Sequence, residues 1–325
     1  MEGIEPGGGA SRYTMAGSFA LSNGTISNTH TDWNNAGGGP LLGSDLTGGS
    51  GTIASISTTD GRGTMTYTVG DGNVWTMAIY IVSQSQFFII ETDPLALPHT
   101  AGEALATSAS FTAASFSGYY AMHISGAQAG VSSLILGQLI CDGVSALTGT
   151  LNTAQSGTAN SNSIAGTSYT IDSSSGRTTL SGGNSQLSVV YLSNPIDGIS
   201  GFVEGTDSNG SFGEIEQQAS STPAFALSGL AGLYSFGTGD SSSSTNNYQV
   251  GTAEIDGASG AVAVTEDESS PNGLLADQAN SATLTLTDPT GNGNVGSATV
   301  IEVTGTRIWV LNESSTNPGF IVLER

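Results

Sequence analysis

Residues 137–143 read Gly-Gln-Leu-Ile-Cys-Asp-Gly, and residues 251–257 read Gly-Thr-Ala-Glu-Ile-Asp-Gly, 114 positions further along the chain. Apolar side chains fall on alternate positions in the second segment and, more clearly, in residues 282–287, which is typical of a β-strand with one buried face. An Asp-Gly pair ends each segment, and this pair favours a tight hairpin turn. The repeated segment therefore predicts antiparallel β-structure built from a recurring unit.

Other segments recur at nearly the same spacing, and such a period defines the unit of folding. The matched pairs are Gly118-Tyr119-Tyr120 with Gly232-Leu233-Tyr234, Gly61-Arg62-Gly63-Thr64 with Gly176-Arg177-Thr178-Thr179, and Glu91-Thr92-Asp93 with Gly205-Thr206-Asp207. We interpret the chain as three units, 1–109, 110–222 and 223–325. Each unit is expected to fold on its own, because the short polar boundaries share no apolar stripe. The repeat positions to which we assign structural roles are Arg62, Arg177, Glu91, Asp93, Asp207, Gly118, Tyr120, Gly232 and Tyr234.

The second unit contains eight candidate strands at even spacing: residues 116–126, 133–141, 146–153, 164–171, 177–182, 186–193, 199–206 and 212–218. Strands joined by tight turns are antiparallel. The sequence therefore predicts an all-β chain of three tandem antiparallel units of about eight strands, each an up-and-down barrel like those of lipocalins and streptavidin. A two-sheet β-sandwich is the alternative, because alternation does not distinguish closure of a sheet from stacking of two.

Two units depart from the repeat. No Gly-x-Tyr segment precedes Tyr13, so the first unit is predicted to lack its opening strand. The edges left unpaired are expected to take up a strand from a partner or to cause self-association through this unit. In the third unit, Ser281-Ala282-Thr283 stands in place of the Gly-Arg-x-Thr segment.

Composition excludes several classes of protein. The formal net charge is −22 and there is no lysine, which excludes the cationic surface that binds nucleic acid. No apolar run approaches the ~18 residues that a transmembrane helix needs. A chain so rich in Ser, Thr, Gly and Asn is expected to be extracellular or at the cell surface. Met1–Arg12 has no features of a signal peptide, so we expect the native start to lie upstream.

The repeated segments, together with Phe87–Asp93 and the Gly-Glu pairs that close the units, resemble the Gly/Ser/Thr-rich, mostly uncharacterised secreted β-repeat proteins of acidobacteria. The resemblance covers the whole chain. It implies secreted or surface-anchored β-rich modules, and it supplies no catalytic residue.

The chemistry-bearing residues predict no catalytic, cofactor or metal site. His30, His99 and His123 lack the spacing of zinc ligands, and Cys141 is interpreted as a buried apolar residue. Candidate carboxylate pairs for glycoside hydrolysis are Glu91 with Asp93, Glu214 with Glu216, and the run Glu266-Asp267-Glu268, all interpreted as turn or strand-end positions. Candidate calcium loops are Asp207–Gly210 and Asp288–Asn294, interpreted as ordinary turns.

Arg62 and Arg177 occupy equivalent positions, and each is expected to pair with an acid of its own unit, such as Glu91 or Asp207. An anion-binding arginine inside a barrel is the functional alternative. The sequence as a whole predicts a non-enzymatic, exported surface or matrix repeat protein. A carrier of small apolar ligands is the first alternative, and a carbohydrate-active or carbohydrate-binding protein is the second. A barrel cavity of roughly 300 Å³ or more would favour the carrier, whereas packed interiors would favour the structural module.

Overall fold

A computed structural model describes residues 1–5, 11–36, 43–93, 99–107, 110–128, 131–155, 158–193, 200–218, 225–239, 248–270, 273–313 and 319–325. These residues form strands, apart from turns and two short 3₁₀ helices at Ala113–Ser115 and Leu227–Leu230. The strands belong to three antiparallel sheets that follow one another along the chain. The predicted all-β class with three tandem units is confirmed.

The first sheet contains nine strands: β1 (Glu2–Glu5), β2 (Ser11–Ser22), β3 (Thr25–Asn35), β4 (Gly43–Thr47), β5 (Ser50–Ala54), β6 (Arg62–Thr68), β7 (Val74–Ile81), β8 (Gln86–Glu91) and β9 (His99–Leu105). Their order is β2-β1-β9-β8-β7-β6-β5-β3-β4, and β2 also pairs with β3. This last pairing brings the sheet round into a nearly closed barrel.

The second sheet is a closed barrel of eight strands in chain order: β10 (Ser117–Gln128), β11 (Val131–Asp142), β12 (Ala146–Gln155), β13 (Thr158–Ile171), β14 (Arg177–Ser181), β15 (Val189–Ser193), β16 (Ser200–Glu204) and β17 (Phe212–Gln217). Every predicted strand of this unit overlaps an observed one. Pairing of β17 with β10 closes the sheet, which confirms the barrel over the sandwich.

The third sheet repeats this closed arrangement with β18 (Gly232–Gly239), β19 (Tyr248–Ile255), β20 (Ala261–Ser270), β21 (Gly273–Leu286), β22 (Asn292–Val295), β23 (Ala298–Thr304), β24 (Arg307–Asn312) and β25 (Gly319–Glu324). Near the start of β18, as near the start of β10, stands a glycine with positive φ. These glycines are Gly118, with φ of 104°, and Gly232, with φ of 141°. Tyr120 and Tyr234, two positions later, are both fully buried.

The first unit lacks a full-length opening strand, as predicted. The further expectation that no strand precedes Tyr13 is wrong. The four-residue β1 lies where the twelve-residue β10 lies in the second unit, and it pairs with both β2 and β9. A strand this short needs no long alternating apolar pattern, because backbone hydrogen bonds to two neighbours hold it. We expected the edges beside the missing strand to be unpaired and to take up a strand from a partner. Along the length of β1 these edges are paired.

The prediction that Ser281-Ala282-Thr283 stands at the Gly-Arg-x-Thr position of the third unit is wrong. The backbone N–H groups of Ile81, Leu192 and Glu302 donate to the carbonyls of Gly61, Gly176 and Gly291 at 3.1, 3.1 and 2.9 Å, respectively. Gly291-Asn292 is thus equivalent to Gly61-Arg62 and Gly176-Arg177, and Ser281-Ala282-Thr283 lies within β21 instead. Glu302 takes the place of an aliphatic residue in the other two units.

Most predicted turns lie between strands as expected. At Asp142-Gly143, for example, the Asp142 carboxylate accepts the backbone N–H groups of Val144, Ser145 and Ala146. At Asp256-Gly257 the positive φ belongs to Gly260. The sequence predicts a further hairpin turn at the Asp197-Gly198 pair, which lies outside the described residues.

Each barrel encloses its own apolar cluster. The units also pack against each other, so the expectation that no apolar stripe is shared between them is wrong. Ala121, Leu134 and Leu136 of the second unit form one buried cluster with Ile301 and Trp309 of the third. In the described part of the chain, no helix is long and apolar enough to cross a lipid bilayer.

Candidate functional site

The junction between the first and second units is built around Asp32 of β3. Its carboxylate accepts hydrogen bonds from Arg177 Nε at 2.6 Å and Arg177 Nη2 at 2.8 Å, from the Tyr191 hydroxyl at 2.6 Å, and from the Asp45 backbone N–H at 2.9 Å. Asp32 is only 5% exposed. The pKa of Tyr191 lies far above its usual value, mainly because the hydroxyl is buried and secondly because the Asp32 charge is close to it. The first junction therefore contains a buried, fully hydrogen-bonded ion pair.

A second buried carboxylate, Glu204 of β16, lies in the same junction. Its Oε1 accepts the Thr14 hydroxyl at 2.6 Å, while Oε2 has no partner in the described residues. Burial raises the pKa of Glu204 well above its usual value. Nearby, the Asn34 side-chain amide donates to the carbonyls of Gly205 and Asp207 at 3.0 and 2.8 Å.

The junction between the second and third units is largely apolar. Its buried members are Ala121, Leu134, Leu136, Ala154, Ile301, Val303, Trp309, Leu311 and Phe320. His123 stacks on Phe320 with the ring centroids 4.4 Å apart and meets the edge of Trp309 at 4.8 Å. At the margin of this cluster, Gln138 donates to the Gln218 amide oxygen at 2.7 Å and to the Thr290 carbonyl at 2.8 Å. Gln138 also accepts from Asn292 at 2.8 Å.

Both junctions use the same two faces of the repeated unit. One is the outer face of the hairpin that runs from β7 to β8, from β15 to β16 and from β23 to β24; we call it the hairpin face. Its cross-strand pairs are Tyr80 with Phe88, Tyr191 with Phe202, and Ile301 with Trp309. The hairpin faces of the second and third units lie in the two junctions.

The opposite face, here named the receiving face, is the outer side of β2–β3, β11–β12 and β19–β20. Its central pairs are Ala16 with Asp32, Leu136 with Asn152, and Val250 with Asp267. Ala16 packs on Val189 and Tyr191 of the next unit, and Leu136 packs on Ile301 of the next unit. In both junctions, a unit thus presents its receiving face to the hairpin face of the unit that follows it.

An open cavity of about 1320 Å³ extends from the interior of the first barrel to the first junction. Its lining includes inward-facing Met15, Phe19, Met65, Met77 and Ile89, and also Tyr191, Leu192 and Phe202 of the second unit. The third barrel holds a cavity of about 130 Å³ with an almost wholly apolar lining. Among the described residues, eighteen buried side chains form the core of the second barrel and ten form that of the first. Together with the open cavity, these numbers indicate that the first barrel is less completely filled than the second.

The arginine pairing predicted from the sequence is wrong for Arg177, whose partner Asp32 belongs to the preceding unit. Arg177 projects outward to the junction, so it neither pairs with Asp207 nor lies inside a barrel. The ion pairs of the described residues do not include Arg62; its backbone N–H donates to Asp60 at 3.1 Å. Glu91 is instead buried, accepts the Thr100 backbone N–H at 3.1 Å, and has its pKa raised by burial.

Other candidate carboxylates also accept hydrogen bonds, most of them from residues of their own unit. Asp93 accepts the Thr76 backbone N–H at 2.6 Å, and Asp207 accepts the Ser211 hydroxyl at 2.9 Å. Glu216 accepts Arg307 Nη1 at 2.6 Å across the second junction. In the Asp288 loop, the carboxylate accepts the Thr290 backbone N–H at 2.8 Å, as an Asx turn does.

The histidines lie in different parts of the molecule. His30 contacts Asp45 at 2.7 Å, whereas His123 lies in the second junction. Among the described residues, no cluster of His, Cys, Asp and Glu is suited to a metal ion. Cys141 is buried as expected, and burial raises the pKa of its thiol to about 12.

Sequence reasoning missed the junction residues, although a signal exists for some of them. Leu134-Ile135-Leu136 is apolar without alternation, which is typical of a strand buried on both faces. Asp32 has no such signal. Comparison with protein families, curated proteins and solved structures gives no match to the chain.

Proposed function

We propose that this chain is a non-enzymatic, exported repeat protein of the cell surface or extracellular matrix, and that it acts as a structural and interaction module. One observation carries the proposal: two junctions with different chemistry bury the same pair of faces. A recurring face used in the same direction is how solenoid and array proteins build an extended body. The net charge of −22 suits a solvated, exported surface and disfavours nucleic acid.

The absence of a catalytic assignment is part of this proposal. Among the carboxylates that the sequence offers for acid–base chemistry, Glu91 and Asp93 accept backbone N–H groups of their own unit, and Glu216 accepts Arg307 across the second junction. The lysine-free, Ser/Thr/Gly-rich composition supports an extracellular location.

Small-angle scattering of the full chain tests whether the units form one rigid row. We expect the pair-distance distribution of a fixed three-barrel body. Leu136→Glu, which places a charge in the apolar junction, should broaden it. Ile140→Glu, on the same strand but 39% exposed, is the matched control and should leave it unchanged. Scattering from the unaltered chain that fits barrels moving freely on linkers would overturn the proposal.

The cavity of the first barrel favours a second function, binding of a small apolar molecule. The space of about 1320 Å³, which the barrel interior shares with the first junction, exceeds the ~300 Å³ at which ligand sites begin. The methionine side chains of its lining are flexible and adapt to irregular ligands.

A polyene fatty acid such as cis-parinaric acid is a suitable fluorescent probe of this cavity. We expect saturable binding at one site per chain, which Met65→Trp should abolish by filling the cavity. Val144→Trp, on an exposed turn, is the control and should bind normally. Unchanged binding by a folded Met65→Trp variant would contradict a site in this barrel.

A further inference from the structure

Two exposed faces of the molecule are of the same two kinds that pack together in its junctions. Among the described residues, no other unit covers the hairpin face of the first unit or the receiving face of the third unit. Large apolar side chains are exposed on both. On the hairpin face they are Tyr80, Phe88 and Ile90, and on the receiving face they are Tyr248 and Val250, all between 44% and 59% exposed.

These side chains stand at positions that are buried inside the chain's own junctions. Tyr80 and Phe88 correspond to Ile301 and Trp309, which are 0% and 2% exposed. Val250 corresponds to Leu136, which is 0% exposed, because each residue precedes the repeated glycine of its strand. The open faces therefore have the apolar character of an interface.

The sequence pattern supports the same conclusion for the hairpin face. Residues 77–82 read Met-Ala-Ile-Tyr-Ile-Val and residues 87–90 read Phe-Phe-Ile-Ile, without alternation. Such runs are typical of strands covered on both sides. One side of these strands faces the first barrel, and the other faces solvent in a single chain.

The charged groups match in finer detail. In the first junction, Arg177 and its cross-strand neighbour Tyr191 both bind Asp32. On the open hairpin face, Arg62 is the cross-strand neighbour of Tyr80 in the same arrangement. The first unit thus carries the pair of donors, and its own described residues supply no ion-pair partner for the Arg62 side chain.

The third unit carries the matching acceptor. Asp267 lies opposite Val250, as Asp32 lies opposite Ala16. Strand register shifts at both aspartates. Asp45 and Asp277, with φ of 49° and 51°, donate their backbone N–H groups to Asp32 and Asp267, each at 2.9 Å. Asp267 is at the surface, whereas Asp32 is covered by the next unit.

We propose that copies of this chain associate head to tail, with the hairpin face of one first unit on the receiving face of another copy's third unit, where Arg62 and Tyr80 bind Asp267. The contact repeats the first junction. Because the two faces differ, the contact is heterologous and propagates into a filament or closes into a ring. This inference rests on the stacked-unit function proposed above.

Sedimentation velocity of the full chain over a concentration series tests the association. It is measured at an ionic strength of about 0.15 M, where screening acts beyond ~8 Å and reduces the repulsion between acidic copies. We expect species larger than the monomer that increase with concentration. Arg62→Glu alone and Asp267→Arg alone should each remain monomeric.

The decisive sample is a mixture of these two variants. Each contact between the two variants again joins opposite charges, because either the two introduced side chains meet or the unaltered Arg62 meets the unaltered Asp267, so association should return. Val250→Ser should weaken association of the unaltered chain at least tenfold, while Val144→Ser, exposed but off both faces, should not. Urea unfolding of each variant verifies that it is folded.

Three outcomes would overturn the proposal. The chain stays monomeric at every concentration; or the mixture stays monomeric although the unaltered chain associates; or Arg62→Glu prevents association while Asp267→Arg does not, which indicates contact between two first units. Scattering separates these failures from failure of the proposed function: a rigid monomer that does not associate leaves the stacked unit intact.

Discussion

The two junctions bury the same faces with opposite chemistry. At equivalent positions the first junction has Tyr191 and Glu204, and the second has Ile301 and Leu311. The first is centred on an ion pair, which forms only when its partners have one orientation. The second is centred on a tryptophan and leucines, whose burial stabilises the packed state. The arrangement of the units at a junction is set by strand register, and it is therefore independent of which side chains the junction buries. We expect the polar junction to contribute specificity and the apolar junction to contribute most of the stabilisation.

The largest effect is expected when the first junction loses its acid. Asp32→Ala leaves the Arg177 guanidinium and the Tyr191 hydroxyl buried without their acceptor, which should lower the free energy of unfolding by about 3–5 kcal/mol. Urea unfolding of the full chain measures it. Asp45→Asn is the control, because it removes the charge that lies 3.8 Å from Arg177 Nε and keeps a residue that tolerates the positive φ at this position; it should cost less than about 1 kcal/mol. Equal costs would show that the ion pair is not the centre of the junction.

Leu136→Ala tests the apolar junction with a residue that the chain itself uses, since Ala16 occupies this position in the first junction. The leucine is fully buried, so the substitution should lower the free energy of unfolding by about 2–5 kcal/mol. Ile140→Ala, on the same strand, is partly exposed and should cost less. A loss below that of Ile140→Ala would mean that burial at this face contributes little.

The pH dependence of the free energy of unfolding should distinguish the two junctions. The first junction buries Glu204, whereas the equivalent residue of the second junction is Leu311. Burial raises the pKa of Glu204 well above 4.5. The native state then holds a proton that the unfolded chain has released, so the free energy of unfolding falls as pH rises from about 4.5 through the folded-state pKa. Below pH 4.5 both states are protonated and the effect vanishes. Glu204→Leu should reduce this slope.

Glu302 in the third barrel adds a slope of the same sign, because burial raises its pKa from 4.5 to about 8. The comparison is therefore made in a Glu302→Leu background, which installs the residue found at the equivalent Leu192. This substitution alone should remove the Glu302 part of the slope, between pH 4.5 and about 8. An unchanged slope in the double variant would show that neither carboxylate is protonated on folding.

Strands and turns are predictable from this sequence because their signals are local: alternation at residues 282–286 of β21 and Asp-Gly at 142–143 depend on neighbouring residues alone. The junctions are not local. Leu134-Ile135-Leu136 indicates two buried faces but not what covers them, and Asp32 resembles any exposed strand acid. β1 was missed because four residues held by two neighbours need no apolar pattern. The open first-barrel cavity depends on how side chains from several strands fill space, which no segment encodes.

The smallest effect is expected at the margin of the apolar junction. Arg307 Nη1 donates to Glu216 at 2.6 Å across the junction, and Arg307 Nε donates to Glu324 of its own unit at 2.8 Å. The arginine side chain is 40% exposed, so water competes for both contacts. Arg307→Ala should therefore change the free energy of unfolding by less than about 1 kcal/mol, and salt should reduce the change further. Arg177→Ala is the matched comparison, because Arg177 also pairs with an acid of another unit and its side chain is only 11% exposed. If Arg307→Ala cost as much as Arg177→Ala, then burial of the ion pair would not be what distinguishes the two junctions, and the division into a specifying contact and a stabilising contact would be wrong.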